Sequence, residues 1–274
     1  MHALDNMTLP SSYFQRKGPK TYILAAAIAV AVMFSGCRKA APEQAVAPSD
    51  RSVGELIAEA DQLYAQRADV VKVRQGLIIL RQATAANPSD YEVAWRLAKF
   101  NYYVGAHSSD AALKEKAFYD GTEAGKLAIK FNDNRPEGHF WLGANYGGNA
   151  EISTLAGLSD IEDIKREMET VLKLDHAYEG ASAYMALGQT YMKAPRILGG
   201  DLSKAIEYLE KGIKVGPNNG LMRLRLAQAY ADAHRKEDAR KQIEVLLSIT
   251  PSPGYEPEYN DAVKEARELQ EKIK

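Results

Sequence analysis

Cysteine is almost missing from this chain: Cys37 is the only one in 274 residues. That excludes an intrachain disulfide and any multi-cysteine zinc or iron–sulfur site. Net charge is nearly missing too, at −1, so the broad basic field needed for non-specific nucleic-acid binding is not there. No apolar run reaches the ~20 residues of a comfortable membrane-spanning helix. Histidine is sparse, at positions 2, 107, 139, 176 and 234, and none stands in a His-Glu-x-x-His or other metal spacing. From Ser52 onward there is no period-two strand pattern. What is plentiful is apolar content, 46%, beside 26% charged and 8% aromatic residues, the make-up of a folded chain with a sizeable core.

The N-terminus explains the cysteine. Arg16, Lys17 and Lys20 precede an unbroken apolar run from Tyr22 to Phe34, followed by Ser35-Gly36-Cys37. This is the layout of a secretory signal: a positive region, a short apolar region, then small residues. Arg38 and Lys39 follow at once, and Ala40 to Pro48 is rich in Ala and Pro, as an extended tether is. Phe34-Ser35-Gly36-Cys37 resembles a bacterial lipobox, with Phe34 in place of the usual Leu. The resemblance implies lipidation of the Cys37 thiol, cleavage before it and acylation of the new amino terminus. Acyl chains contribute ~0.8 kcal/mol per buried CH₂, and more than one makes the anchor stable. Both Met1 and Met7 are available starts. Removing residues 1–36 takes away Arg16, Lys17, Lys20 and Asp5, leaving a net charge of −3. The anchor is then the lipid, not a basic patch. Arg38 after the cysteine, where Asp is the alternative, favours the outer over the inner membrane by analogy with lipoprotein sorting.

The body repeats itself. Leu142-Gly143-x-x-Tyr146, Leu187-Gly188-x-x-Tyr191 and Leu226-Ala227-x-x-Tyr230 share one pattern. Ala205, Leu209 and Pro217 have the same mutual offsets as Ala239, Ile243 and Pro251, a period of 34 that resembles the tetratricopeptide repeat (TPR). In such a hairpin the small residue lets the second helix approach, and proline stops that helix. One hairpin cannot bury its apolar face alone, so neighbours must stack. The expectation is an all-α solenoid of about five TPR-like hairpins over 53–254, after a leader at 1–36 and a lipidated cysteine with tether at 37–52. Residues 255–274 form a capping helix with the stripe Tyr259, Ala262, Val263, Ala266, Leu269 and Ile273. Because Leu97, Leu142 and Leu187 are 45 residues apart, insertions are expected between the helices of hairpins two to four. Gly147 to Ser159 reads as mixed and helical in part, with Gly147-Gly148 and Gly199-Gly200 as turns and Asp201 as an N-cap.

Several segments look like the TRAP-transporter-associated TPR lipoproteins of the TatT type, over most of 52–274. They are Asp90-Tyr91-Glu92 through Trp95-Arg96-Leu97-Ala98, Gly138-His139-Phe140-Trp141-Leu142-Gly143, Ala186-Leu187-Gly188 through Lys193-Ala194-Pro195, and Leu198-Gly199-Gly200-Asp201. The resemblance implies a helical solenoid with a ligand cleft and a partnership with the periplasmic solute-binding subunit of a TRAP-type transporter.

Chemistry is scarce. The serines lack a nucleophile-elbow context and the glycine pairs lack a following Gly-Lys-Ser/Thr, so neither an enzyme nor a cofactor is expected. The groove is the better lead. Taking the repeat leucines as equivalent places Trp95, Lys99 and Tyr102 on the concave side. It adds Phe140, Ala144 and Gly147, then Met185, Gln189 and Met192, then Leu224, Gln228 and Ala231. The set is mostly apolar, with Lys99 as its main cation, near Asn101 and Asn145. A carboxylate clamp for charged peptide ends needs more cations than this. The groove therefore suits a small hydrophobic or amphipathic ligand or an apolar segment of a partner. Filling of the groove by the terminal helix or the insertions is the competing reading, and a homo-oligomer is compatible with the sequence.

Overall fold

Helix starts are written into the chain as side chains that accept the unpaired amide protons of a first turn. Ser52 Oγ accepts from the Glu55 amide at 3.3 Å while Glu55 Oε2 accepts from the Ser52 amide at 2.8 Å, a reciprocal capping box. Asp69, Asp90, Asp110, Asp201 and Asn219 cap later helices with their side chains. A computed structural model describes residues 50–152, 154–251 and 254–274. The leader, Cys37 and nearly all of the tether lie outside the described residues.

Among the described residues there are eleven α-helices and no strand. Hairpin one is α1 (Val53–Ala65) and α2 (Val70–Ala86); hairpin two is α3 (Tyr91–His107) and α4 (Ala111–Phe131). Hairpin three is α5 (Pro136–Ile152) and α6 (Thr154–Leu174), and hairpin four is α7 (Tyr178–Lys193) and α8 (Leu202–Val215). Hairpin five is α9 (Gly220–Asp232) and α10 (Lys236–Ser248), and α11 (Glu256–Lys272) packs on both of its helices. The fold is an all-α, TPR-like solenoid. Its core runs along the stack in successive clusters, around Leu80 and Phe100, then Met168 and Leu187, then Leu224 and Ile243. Among the described residues no helix is long and apolar enough to cross a membrane.

The structure corrects the expected insertions. In hairpins two and three the extra residues lengthen the helices: α3 to α6 have 17, 21, 17 and 21 residues, against 13 each in α9 and α10. Hairpin four places its extra residues between the helices, with a 3-10 turn at Arg196–Leu198 and left-handed Gly199 at φ 84°. Gly147 and Gly148 are not a turn but lie inside α5. The reason is steric: a Cβ on Gly148 would sit 2.2 Å from the Phe118 ring, so glycine lets α4 and α5 run on in close contact.

His139 joins α5 to α6 at the floor of hairpin three. Its Nδ1 lies 2.7 Å from a Glu167 carboxylate oxygen and its Nε2 2.9 Å from the Asp133 carbonyl. Acceptors at both nitrogens suit the imidazolium. Burial alone lowers the histidine pKa, but the hydrogen bonds to Glu167 and the Asp133 carbonyl outweigh it, and the net shift is upward. A raised folded value means that this stabilisation is complete below the unfolded value of ~6.5 and is lost as pH rises through the folded one. The urea midpoint should therefore decline as pH climbs from ~6.5 toward the raised value, and His139→Gln should flatten that slope. Equal slopes in the two proteins would contradict the pairing.

Candidate functional site

The site begins with a long-range contact. Arg67, just past α1 and 6% exposed, donates from Nε and Nη2 to the two carboxylate oxygens of Glu258 on α11, each at 2.7 Å. It also donates to the Gly254 carbonyl. The first hairpin thus meets the chain's last segment, and the concave side becomes a cavity of about 1410 Å³. The terminal helix does not fill it. Instead α11 contributes Glu258, Tyr259, Asp261 and Glu265 to one wall.

Seven residues expected on the concave face line this cavity: Trp95, Lys99, Tyr102, Phe140, Ala144, Met185 and Gln189. Gly147 lines it too, and a Cβ there would meet open space. Met192, Leu224 and Gln228 do not line it. Leu224 is fully buried in the C-terminal core and Met192 packs against that core. Gln228 Oε1 accepts from Arg225 at 3.0 Å and its amide donates to Glu265 on α11. The physical reason is that α11 lies over α9 and turns its inner face into an interface. Asn101 and Asn145 are buried and donate to backbone carbonyls of α3 and α5, so they add nothing to a clamp.

The floor is apolar. Phe118, Phe140, Ile161 and Ile164 line it, the last two from the lengthened α6, with the fully buried Met168 behind them. Tyr102 packs its ring against Trp141 and Phe118, with centroids 5.7 and 6.2 Å away. Burial raises its hydroxyl pKa. Burial likewise raises that of Tyr103, to about 12.

The polar end is built where α1, α3, α7 and α11 converge. Lys99 Nζ lies 3.3 Å from Glu179 Oε1, and the Tyr255 hydroxyl donates to Glu179 Oε2 at 2.6 Å. Glu179, Gly180 and Ala181 all have positive φ, 48°, 63° and 66°, a strained left-handed turn that presents Glu179 to Lys99. Tyr64, Arg67, Trp141, Glu179, Tyr255 and Glu258 were not among the expected concave residues. The spacing of Ala60 and Tyr64 repeats that of Ala98 and Tyr102, a signal pointing to Tyr64. Arg67, Glu179 and Glu258 arrive by chain closure and strained backbone, for which sequence spacing carries no signal. Among the described residues no group of three or more His, Cys, Asp or Glu could hold a metal ion.

The sequence profile of the family described as regulator of microtubule dynamics protein 1-3 matches residues 56–193. The chain belongs to that family. The matched segment runs from within α1 to the end of α7 and includes the cavity floor. A tetratricopeptide-repeat profile matches residues 196–266, which places the rest of the stack among TPR repeats. A thermophilic TPR protein of Thermus thermophilus superposes with TM-score 0.60 at 18% identity, over 79% of this chain and 99% of that one. PilF of Pseudomonas aeruginosa superposes with TM-score 0.51 at 17% identity, over 81% and 90%. These likenesses are of fold. No curated protein matches the chain by sequence.

Within this family member the closure at Arg67 is testable. Removing one partner of a largely buried pair leaves the other charge without compensation, at a cost of ~3 kcal/mol. Arg67→Met should lower stability by about that amount and raise amide exchange across residues 254–260 more than across α5. Unchanged exchange in 254–260 would show that the contact does not hold the ends together.

Proposed function

We propose that this chain is a non-catalytic, lipid-anchored TPR protein on the periplasmic side of a membrane. It holds a small hydrophobic or amphipathic ligand in its cavity and serves the solute-binding subunit of a TRAP-type transporter. The cavity carries this reading: it is roomy, lined mainly by apolar and aromatic side chains, and left open by α11. The anchor reading is supported by the lipobox-like Phe34-Ser35-Gly36-Cys37 alone, with the outer membrane favoured by Arg38. The transporter partnership rests on the resemblance of segments such as Gly138–Gly143 and Leu198–Asp201 to the TatT type. The microtubule-related description of the family belongs to the proteins it names.

A general envelope scaffold without a small ligand is the alternative. TPR repeats build protein-interaction surfaces, and Ile197 favours this reading. It is 93% exposed on the turn just after Ala194 and Pro195, which line the cavity.

The neutral probe N-phenyl-1-naphthylamine separates the two. It should bind saturably and brighten in the cavity. Gly147→Leu projects a side chain into open space and should weaken binding at least ~5-fold, while the urea midpoint stays level or rises because leucine favours helix over glycine. No probe binding, with an unchanged midpoint in Tyr102→Ala, would contradict a ligand cavity. Co-purification of the intact lipoprotein with envelope assembly factors and no solute-binding subunit would favour the scaffold.

A further inference from the structure

Lys99 stands inside a box of aromatic rings on the cavity wall. Its ammonium lies 4.8 Å from the ring centre of Tyr64, 5.2 Å from Trp141 and 6.0 Å from Trp95. Glu179 completes the box as counter-ion, held in place by the Tyr255 hydroxyl. The negative faces of aromatic rings attract a cation electrostatically, and ammonium-type ligands are recognised this way. Here the box is filled by the protein's own side chain.

The charge of the wall points the same way. Six carboxylates line the cavity (Asp61, Glu151, Glu179, Glu258, Asp261 and Glu265) against the cations Arg67, Lys99, Lys193 and Arg225. Each of those cations already has one of the carboxylates as its partner. Of the other two, Asp61 pairs with Arg96, so the surplus carboxylate is Asp261. An anionic head would have to displace a carboxylate; a cationic head enters a field of the right sign. A carboxylate near α3 also gives Lys99 somewhere to go. Asp61 accepts from Arg96 Nε at 3.0 and 3.1 Å, and Arg96 lies one turn before Lys99 on the same face of α3. The flexible four-carbon stem of Lys99 can swing toward that carboxylate.

We propose that Tyr64, Trp95, Trp141 and Glu179 form a subsite for the ammonium group of an amphiphilic ligand, with Lys99 as a resident stand-in that withdraws on binding. The apolar part of the ligand lies along Phe140, Ala144 and Met185. This rests on the cavity reading above and adds the sign of charge it selects.

Trp95 and Trp141 are the only two tryptophans in the chain, so intrinsic emission reads the box directly. The purified full-chain protein is titrated with hexyltrimethylammonium, heptanoate and heptan-1-ol. Hexyltrimethylammonium should change tryptophan emission saturably and bind about tenfold more tightly than heptanoate. Lys99→Met removes the resident competitor and should tighten the cation by about tenfold, whereas Trp141→Leu should weaken it. If Trp141→Leu does not fold, Lys99→Met carries the test alone, because it keeps the stem and removes only the charged end. Tighter binding of heptanoate, abolished by Lys99→Met, would overturn the proposal and make Lys99 an anion anchor. Binding of heptan-1-ol without preference for the cation would overturn the subsite and leave the cavity reading standing. Failure of all three ligands to bind would overturn both.

Discussion

One guanidinium decides what kind of object this solenoid is. A stack of TPR-like hairpins is by default an open superhelix, each unit touching only its neighbours. Arg67 breaks that rule by reaching Glu258 and the Gly254 carbonyl, 191 and 187 residues further along the chain. A buried ion pair is a weak net stabiliser compared with an apolar contact of the same volume. Its contribution here is geometric. It fixes the end of α1 against the start of α11, and so turns a groove into a walled cavity with Lys99, Glu179 and Tyr255 at the same seam.

The second constraint is length. Hairpins two and three are longer than hairpin five, and the last turns of α3 and α5 line the cavity with Ala106, His107, Ala150 and Glu151. Long antiparallel helices can stay in contact only if their facing residues are small at some levels. Gly148 against Phe118 and Gly121 against the Asn145 side chain meet that need, since a Cβ at either would come within 2.2 Å of its neighbour. Gly147, one residue from Gly148, faces open space instead. The same Gly-Gly pair thus both permits the packing and widens the cavity.

Much of the architecture was legible in the sequence because TPR hairpins are specified locally. Leu187-Gly188 and Ala205 with Leu209 meet at helical spacing, and Asp201 caps α8 by a contact only two and three residues long. The concave register shares Trp95, Lys99, Tyr102, Phe140 and Ala144 of α3 and α5 with the cavity lining. It failed at Leu224 and Gln228 because a non-repeating helix, α11, covers them, and the repeat pattern carries no information about what packs on its last unit. Gly147-Gly148 misled for a related reason: a glycine pair signals a turn by its backbone freedom, yet here its missing side chains answer a packing demand from α4. Arg67, Glu179 and Glu258 were invisible, since each depends on closure or on left-handed backbone far from any local motif.

The two ends of the repeat domain meet at Arg67 and Glu258. Spin labels at Gln62 on α1 and Asn260 on α11, both exposed, read that separation by dipolar spectroscopy in a Cys37→Ser background. The Arg67–Glu258 contact predicts one narrow, short distance that persists in denaturant until the cooperative unfolding transition. A long or broad distribution under native conditions would contradict it and return the molecule to an open superhelix.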